Sequence, residues 1–132
     1  MSHIAILAGD GSARARLRRW TEQECAARGL FIPAETPEAL EDYYYHILDT
    51  PPLAVVTALP GVAGLNAAEH IRRLCPACGL VWFSDLDFAL QAFRLRADYF
   101  STGPPGREEL AEGLGRWLDR RETNRNKTIR SI

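Results

Sequence analysis

Short β-rich apolar runs alternate with amphipathic helical stretches along nearly all of this chain, and that alternation restricts it to βα units built on a parallel sheet. The first run spans His3 to Ala8. The stretch after it puts Ala13, Leu17, Trp20 and Cys25 on one side and Arg16, Arg19 and Gln23 on another, which is helical spacing. A second run, Leu30 to Ala34, precedes Thr36-Pro37, read as a cap residue with proline in the first helical position. Leu40, Tyr43, Tyr44, Ile47 and Leu48 then continue with helical spacing. Asp49-Thr50-Pro51-Pro52 stops that helix, because proline lacks an amide hydrogen and restricts the residue before it.

Leu53 to Thr57 is almost uninterruptedly apolar, as a central parallel strand covered on both faces must be. The loop Leu59-Pro60-Gly61 and Gly64 leads into a helix that turns Ala67, Ala68, Ile71 and Leu74 inward. Gly79 to Phe83 reads as a fourth strand. Ser84-Asp85-Leu86-Asp87 fits a capping box opening a helix through Leu95. A fifth strand, Asp98 to Ser101, ends at Thr102-Gly103-Pro104-Pro105, and a last helix carries Leu110, Leu114 and Trp117 at helical spacing. Five βα units result, in one domain over residues 1–122. Residues 123–132 hold Arg125, Lys127 and Arg130 with few apolar anchors, which predicts a mobile basic tail or linker.

Composition narrows the function classes. Hydrophobic residues at 46% and charged residues at 25% are those of a soluble globular protein. A net charge of −1 gives no long-range field for nucleic acid or an anionic membrane. No apolar run reaches membrane-spanning length and MSHIAIL lacks the features of a signal peptide, so a cytoplasmic location and no membrane partner are expected. Three cysteines argue against a disulfide framework. Cys75 and Cys78 form a C-x-x-C, but structural zinc needs two further ligands, which only Cys25 and a histidine would supply. The simpler reading is a helix end followed by a buried strand start. His46 and His70 have no ligand partner in the sequence. No metal, cofactor or small-molecule substrate is expected. Arg14, Arg16, Arg18 and Arg19 read as a solvated helix face rather than a phosphate or RNA contact.

One alternative of another class stays open. Gly9-Asp10-Gly11 after the first strand resembles the opening of a dinucleotide loop, with Glu35 placed to meet a ribose. The third glycine position is Arg14, where close helix packing wants no side chain. A nucleotide- or flavin-binding protein of flavodoxin or Rossmann type is therefore an alternative.

Three local strings agree with one family. Leu59-Pro60-Gly61-Val62-Ala63-Gly64-Leu65 is similar to the loop M-P-G-M-N-G-I. Ala97-Asp98-Tyr99-Phe100-Ser101-Thr102-Gly103-Pro104 is similar to A-x-x-Y-L-x-K-P, and Ser84 through Phe93 agrees with the same family's fourth helix. Together with the element order, they make the chain resemble a response-regulator receiver domain over about residues 1–122. Ser84–Phe93 looks most like the LytTR class. The resemblance implies a doubly wound, five-stranded parallel α/β fold, CheY-like and flavodoxin-like, with strand order 2-1-3-4-5.

The same resemblance locates the family's functional positions. The acidic pair falls on Ala8 and Gly9, with Asp10 one residue later, and the phosphoacceptor falls on Val56, four residues before Pro60. The hydroxyl position falls on Phe83, with Ser84 beside it; the lysine falls on Gly103 and the switch aromatic on Phe100. An acyl phosphate needs an acceptor carboxylate and a cation held by carboxylates. Leu53 to Leu65 contains no Asp or Glu, so no shift of register restores the acceptor, and Thr57 cannot replace it chemically. Asp10 reads as a loop or cap residue, and Ser84 as the cap of the fourth helix.

The implied function is a pseudo-receiver, not an enzyme, that signals by protein contact with a partner or with itself as a dimer. Phe88, Arg94, Tyr99 and Arg116 are the candidates for its interaction face. LytTR resemblance implies a DNA-binding output domain beyond the tail, whose first strand would start in residues 128–132, making this the N-terminal part of a transcriptional regulator. DNA would be contacted only through that domain. A free-standing adaptor is the competing interaction reading.

Overall fold

The computed structural model describes residues 2–130, with side chains described as far as Asn126. The order is β1 (Ile4–Leu7), α1 (Gly11–Ala27), β2 (Ala34–Glu35), α2 (Leu40–Asp49), β3 (Ala54–Thr57), α3 (Gly61–Leu74), β4 (Gly79–Ser84), α4 (Ala89–Arg94), β5 (Tyr99–Thr102) and α5 (Arg107–Arg130). All strand pairs are parallel, in one sheet ordered β2-β1-β3-β4-β5. The expected doubly wound fold and strand order are therefore the observed ones.

Strand alternation divides the core. Ile4, Ile6, Ala8, Val56, Val81 and Phe83 face the layer that contains Leu17 of α1 and Leu110, Leu114 and Trp117 of α5. Ala5, Leu7, Val55, Leu80 and Trp82 face Tyr43 and Ile47 of α2 and Ala67, Ala68 and Ile71 of α3. Successive side chains of a strand point to opposite faces, so a central strand covered by helices on both sides is mainly apolar. β1, β3 and β4 are buried at every position.

Element boundaries moved where tertiary packing overrode local signals. β2 pairs with β1 only at Ala34 and Glu35, while the expected strand residue Phe31 is 86% exposed. Pro33 precedes the pair; it accepts from the Ile4 amide at 3.0 Å and has no N–H to return. α2 does not begin at Pro37. Its cap is Ala39, without a side-chain bond, and the helix starts at Leu40, the first residue that packs against the core. Leu48, expected inward, is exposed.

The proposed capping box at Ser84 is absent. Ser84 is the last residue of β4; its Oγ donates to Leu86 O at 2.7 Å and accepts from the Leu86 amide at 3.0 Å. Asp85 is drawn away to α3, and Asp87 instead accepts from the Ala89 amide at 3.0 Å, so α4 is short and begins at Ala89. At the C-terminus, the helix does not end near Glu122. α5 continues to Arg130, so residues 128–130 are helical rather than the start of a strand, and Ser131 and Ile132 lie outside the described residues. No helix among the described residues is long and apolar enough to cross a membrane.

Candidate functional site

The C-terminal ends of β1, β3, β4 and β5 converge on one edge of the sheet. In an open parallel α/β sheet this is the edge where ligands bind, because the following loops open there. Register puts Ile6, Val56 and Val81 side by side across β1, β3 and β4, and Phe83 beside Ser101. Val56 is completely buried, Phe83 is 2% exposed and Ala8 6%. These three predicted site residues do come together, as part of the apolar core under α1 and α5.

The polar groups at this edge are satisfied internally. Asp10 is the N-cap of α1, its carboxylate accepting from the Ser12 amide at 2.9 Å. Arg14, one turn on, folds back so that Nη1 donates to the Ala8 carbonyl at 3.0 Å, while its other terminal nitrogen lies 4.0 Å from Glu38. A cation thus sits against the carbonyl end of β1. Gly103 holds φ at +147°, a conformation that favours glycine, and its amide donates to Ser84 O at 2.8 Å. Asp85 accepts from the Gly61 amide at 2.7 Å. Pro60, the residue before α3, offers no side-chain cap, so Asp85 caps α3 from the neighbouring loop.

Thr57 and Trp82 face each other across β3 and β4, both fully buried. Neither Thr57 Oγ1 nor Trp82 Nε1 has a hydrogen-bond partner. Phe100 meets the Trp82 ring edge-on at 5.0 Å between centroids, and Phe88 stacks on the same indole at 5.8 Å. The switch-aromatic position is thereby packed inward.

The predicted interaction residues do not form one displayed set. Arg94 and Arg116 are exposed, but Phe88 is half-buried and Tyr99 is buried under the Arg116 guanidinium, 5.3 Å from its ring. The apolar residues that α4 and its approach do expose are Leu86, Leu90 and Phe93, the last at 82%. Helical spacing alone could not say which side of so short an element faces outward.

Several polar contacts were not legible in the sequence. His3 is buried at the start of β1, with Nε2 2.6 Å from Tyr43 Oη and 3.5 Å from Glu35. His46 also approaches Glu35, at 3.8 Å, and His70 stacks on Tyr44 at 4.4 Å. Burial pushes the Tyr43 hydroxyl upward, with the Glu35 charge adding to it. Asp98 joins β5 to α5 through a two-pronged ion pair with Arg120 and also accepts from the Leu80 amide at 2.9 Å. The Asp98 bond holds Arg120 even higher than its usual range. Only long-range pairing could reveal these partners. Among the described residues no group of three or more His, Cys, Asp or Glu is placed to hold a metal ion.

No protein-family model and no curated sequence matches the chain. Solved structures do. A response regulator receiver domain protein from Clostridium thermocellum superposes with a TM-score of 0.72 at 14% identity, over 93% of this chain and 98% of that one. The fold is that of a response-regulator receiver domain. A LuxR-family two-component response regulator from Aurantimonas sp. SI85-9A1 is 26% identical with a TM-score of 0.65, over 86% of this chain and 81% of its own. The Thermotoga maritima regulator DrrB, an OmpR/PhoB homologue, gives 0.66 at 22% identity; this receiver-fold chain matches 54% of its length.

Proposed function

We propose that this receiver-fold chain is a regulatory module that works by protein contact and takes no phosphoryl group on aspartate. The observation that carries the reading is Val56: at the tip of the central strand a branched hydrocarbon is fully buried between Ile6 and Val81. Acyl phosphate chemistry requires an accessible carboxylate there. The divalent cation that the fold implies in signalling receivers does not fit these residues. Mg2+ takes oxygen ligands, usually one or two carboxylates. Ala8, Gly9 and Val56 supply none, Asp10 is engaged with its own helix, and the Arg14 cation lies on the Ala8 carbonyl.

Two latches support a single resting arrangement. Asp85 ties the β4–α4 loop to the start of α3, and Phe100 is packed on Trp82. A module held in one state presents a constant surface, and α4 presents Leu90 and Phe93 beside exposed Arg94. This patch, with Arg116, is the proposed contact for a protein partner or a second copy. α5, 24 residues long and exposed from Asp119 through Asn126, is the proposed connection to an output domain. DNA contact would belong to that domain. Its class is open: the LytTR assignment rests on the Ser84–Phe93 string, whereas two of the similar structures are named for the LuxR family and for OmpR/PhoB. A free-standing adaptor uses the same surface and is separated by the length of the natural gene product.

The nucleotide-binding alternative loses its support at the same edge. The Asp10 carboxylate fills the α1 N-terminus where a phosphate would sit, and Glu35 is turned to His3 and His46. The test is incubation with acetyl phosphate, or with beryllium fluoride and Mg2+, read by intact mass and by tryptophan fluorescence. The expected result is no adduct and an unchanged spectrum; an acid-labile adduct on aspartate would overturn the proposal.

A further inference from the structure

The C-x-x-C lies at the N-terminal edge of the sheet, opposite Val56. Cys75 caps α3, its amide donating to Ile71 O at 2.7 Å, and the Cys78 amide returns to Cys75 O at 3.4 Å. The segment Cys75-Pro76-Ala77-Cys78 is therefore a hydrogen-bonded turn. Such a turn keeps its first and fourth Cα atoms within roughly 7 Å, close to the span a disulfide bridges. Both cysteines line an open cavity of about 680 Å³ with Thr50, Pro52, Ala77 and Trp117. Cys75 is partly exposed and Cys78 is buried, so a thiol reagent reaches Cys75 first. Burial, reinforced by the neighbouring Cys75 thiol, pushes the Cys78 thiol up to about 12. A thiol held protonated is a poor nucleophile, so Cys78 reacts after the more accessible Cys75.

What makes this turn unusual is Arg72. It is 8% exposed, and each of its hydrogen bonds goes to a main-chain carbonyl. Nη1 donates its two hydrogens to Pro76 O at 2.9 Å and Cys78 O at 2.8 Å, with Cys75 O 3.5 Å away. Nε donates to Leu95 O at 2.8 Å and Nη2 to Arg96 O at 3.3 Å. The guanidinium is a rigid planar fork, so carbonyls bound at one end cannot shift without moving those at the other. The Cys75–Cys78 turn and the α4–β5 connection share that fork. Arg96 also holds φ at +55°, a conformation that a side chain other than glycine adopts only under constraint.

We propose that Cys75 and Cys78 form a reversible disulfide by exchange with a low-molecular-weight disulfide, and that closing it shifts the Leu95–Ala97 connection through Arg72. The Cys75 thiolate attacks one sulfur of the small disulfide, whose S–S bond breaks and releases one small thiol. Cys78 then gives its proton to solvent and attacks Cys75 Sγ, breaking the mixed disulfide and releasing the second small thiol. The protein loses two electrons and two protons, which the small disulfide gains. A structural metal is the poorer occupant, because no third ligand is placed beside the pair among the described residues. The device does not depend on whether Val56 excludes phosphorylation.

The experiment uses the full 132-residue chain with excess oxidised glutathione, quenched in acid, denatured, alkylated with iodoacetamide and mapped by peptide mass spectrometry. The expected product has lost two alkylation adducts, at Cys75 and Cys78, while Cys25 remains alkylated; dithiothreitol restores both. Amide hydrogen exchange of Arg96 and Ala97, now bonded to Phe93 O and Ala92 O, should change on oxidation. Neither effect should survive in Cys75→Ser or Cys78→Ser, and both should persist in Cys25→Ser. Glutathione retained on Cys75, or both thiols still alkylated, would overturn the bridge. A bridge that leaves exchange at Arg96 and Ala97 unchanged would overturn the coupling.

Discussion

At position 56 an isopropyl group and a carboxylate make opposite demands on the same space. Valine fits because Ile6, Val81 and Phe83 surround it with hydrocarbon, and burying such a side chain stabilises by about 2 kcal/mol. A carboxylate there would be an unpaired buried charge. Val56→Asp should therefore destabilise the fold by about 4 kcal/mol in urea titration, without gaining phosphorylation by acetyl phosphate. A stable, phosphorylated V56D protein would show that the acidic site needs only this one residue. Asp85 acts from a neighbouring loop on a helix whose preceding residue is proline. Asp85→Ala should cost about 1 kcal/mol and speed amide exchange at Gly61; unchanged exchange would mean that the bond is not maintained in solution.

Elements are held together by close approaches that only small residues allow. Gly79 opens β4 directly beneath Trp117 of α5, and a Cβ there would enter the indole ring. Gly79→Ala should thus lower stability by about 2 kcal/mol through displacement of α5, seen as a lower denaturation midpoint and a shift in tryptophan emission. The Asp98–Arg120 pair clamps the same helix to β5 one turn further along, beyond Trp117. α5 is consequently anchored over its first half and exposed from Asp119 through Asn126.

Across the molecule, burial raises several weak acids of the native state, Cys25, Tyr43, Tyr44 and Cys78 among them. Burial pushes the thiols of Cys25 and Cys78 above their ordinary value of 9.0 and the Tyr43 hydroxyl above its ordinary 10.0. Each is raised on folding, so the unfolded chain loses these protons first. Their contribution is complete only well below the ordinary thiol value of 9.0 and declines as pH rises through the unfolded values toward the folded ones. Stability measured by urea should fall steadily from pH 9 upward. Replacing Cys78 with Ser should flatten part of that decline, and an identical slope would exclude the buried thiol as a cause.

Fold class was legible in one sequence because it depends on periodicity and punctuation. Apolar runs at Ile4–Leu7, Ala54–Thr57 and Gly79–Ser84, separated by helical stretches, leave little besides a doubly wound parallel sheet. The aliphatic residue at position 56 was equally plain, as was the lack of any acid between Leu53 and Leu65. Local signals misled where distant groups outcompeted them. Ser84-Asp85-Leu86-Asp87 spells a cap, yet Asp85 found the Gly61 amide and Ser84 stayed in the strand. Tyr99 reads as a surface aromatic, yet lies beneath Arg116. Arg72 is one more arginine on a helix until the chain closes around it, because carbonyl acceptors leave no mark in a sequence. Which hydrogen-bonding groups are shared between separated segments is decided only when burial removes the competing water, and that happens only in the folded structure.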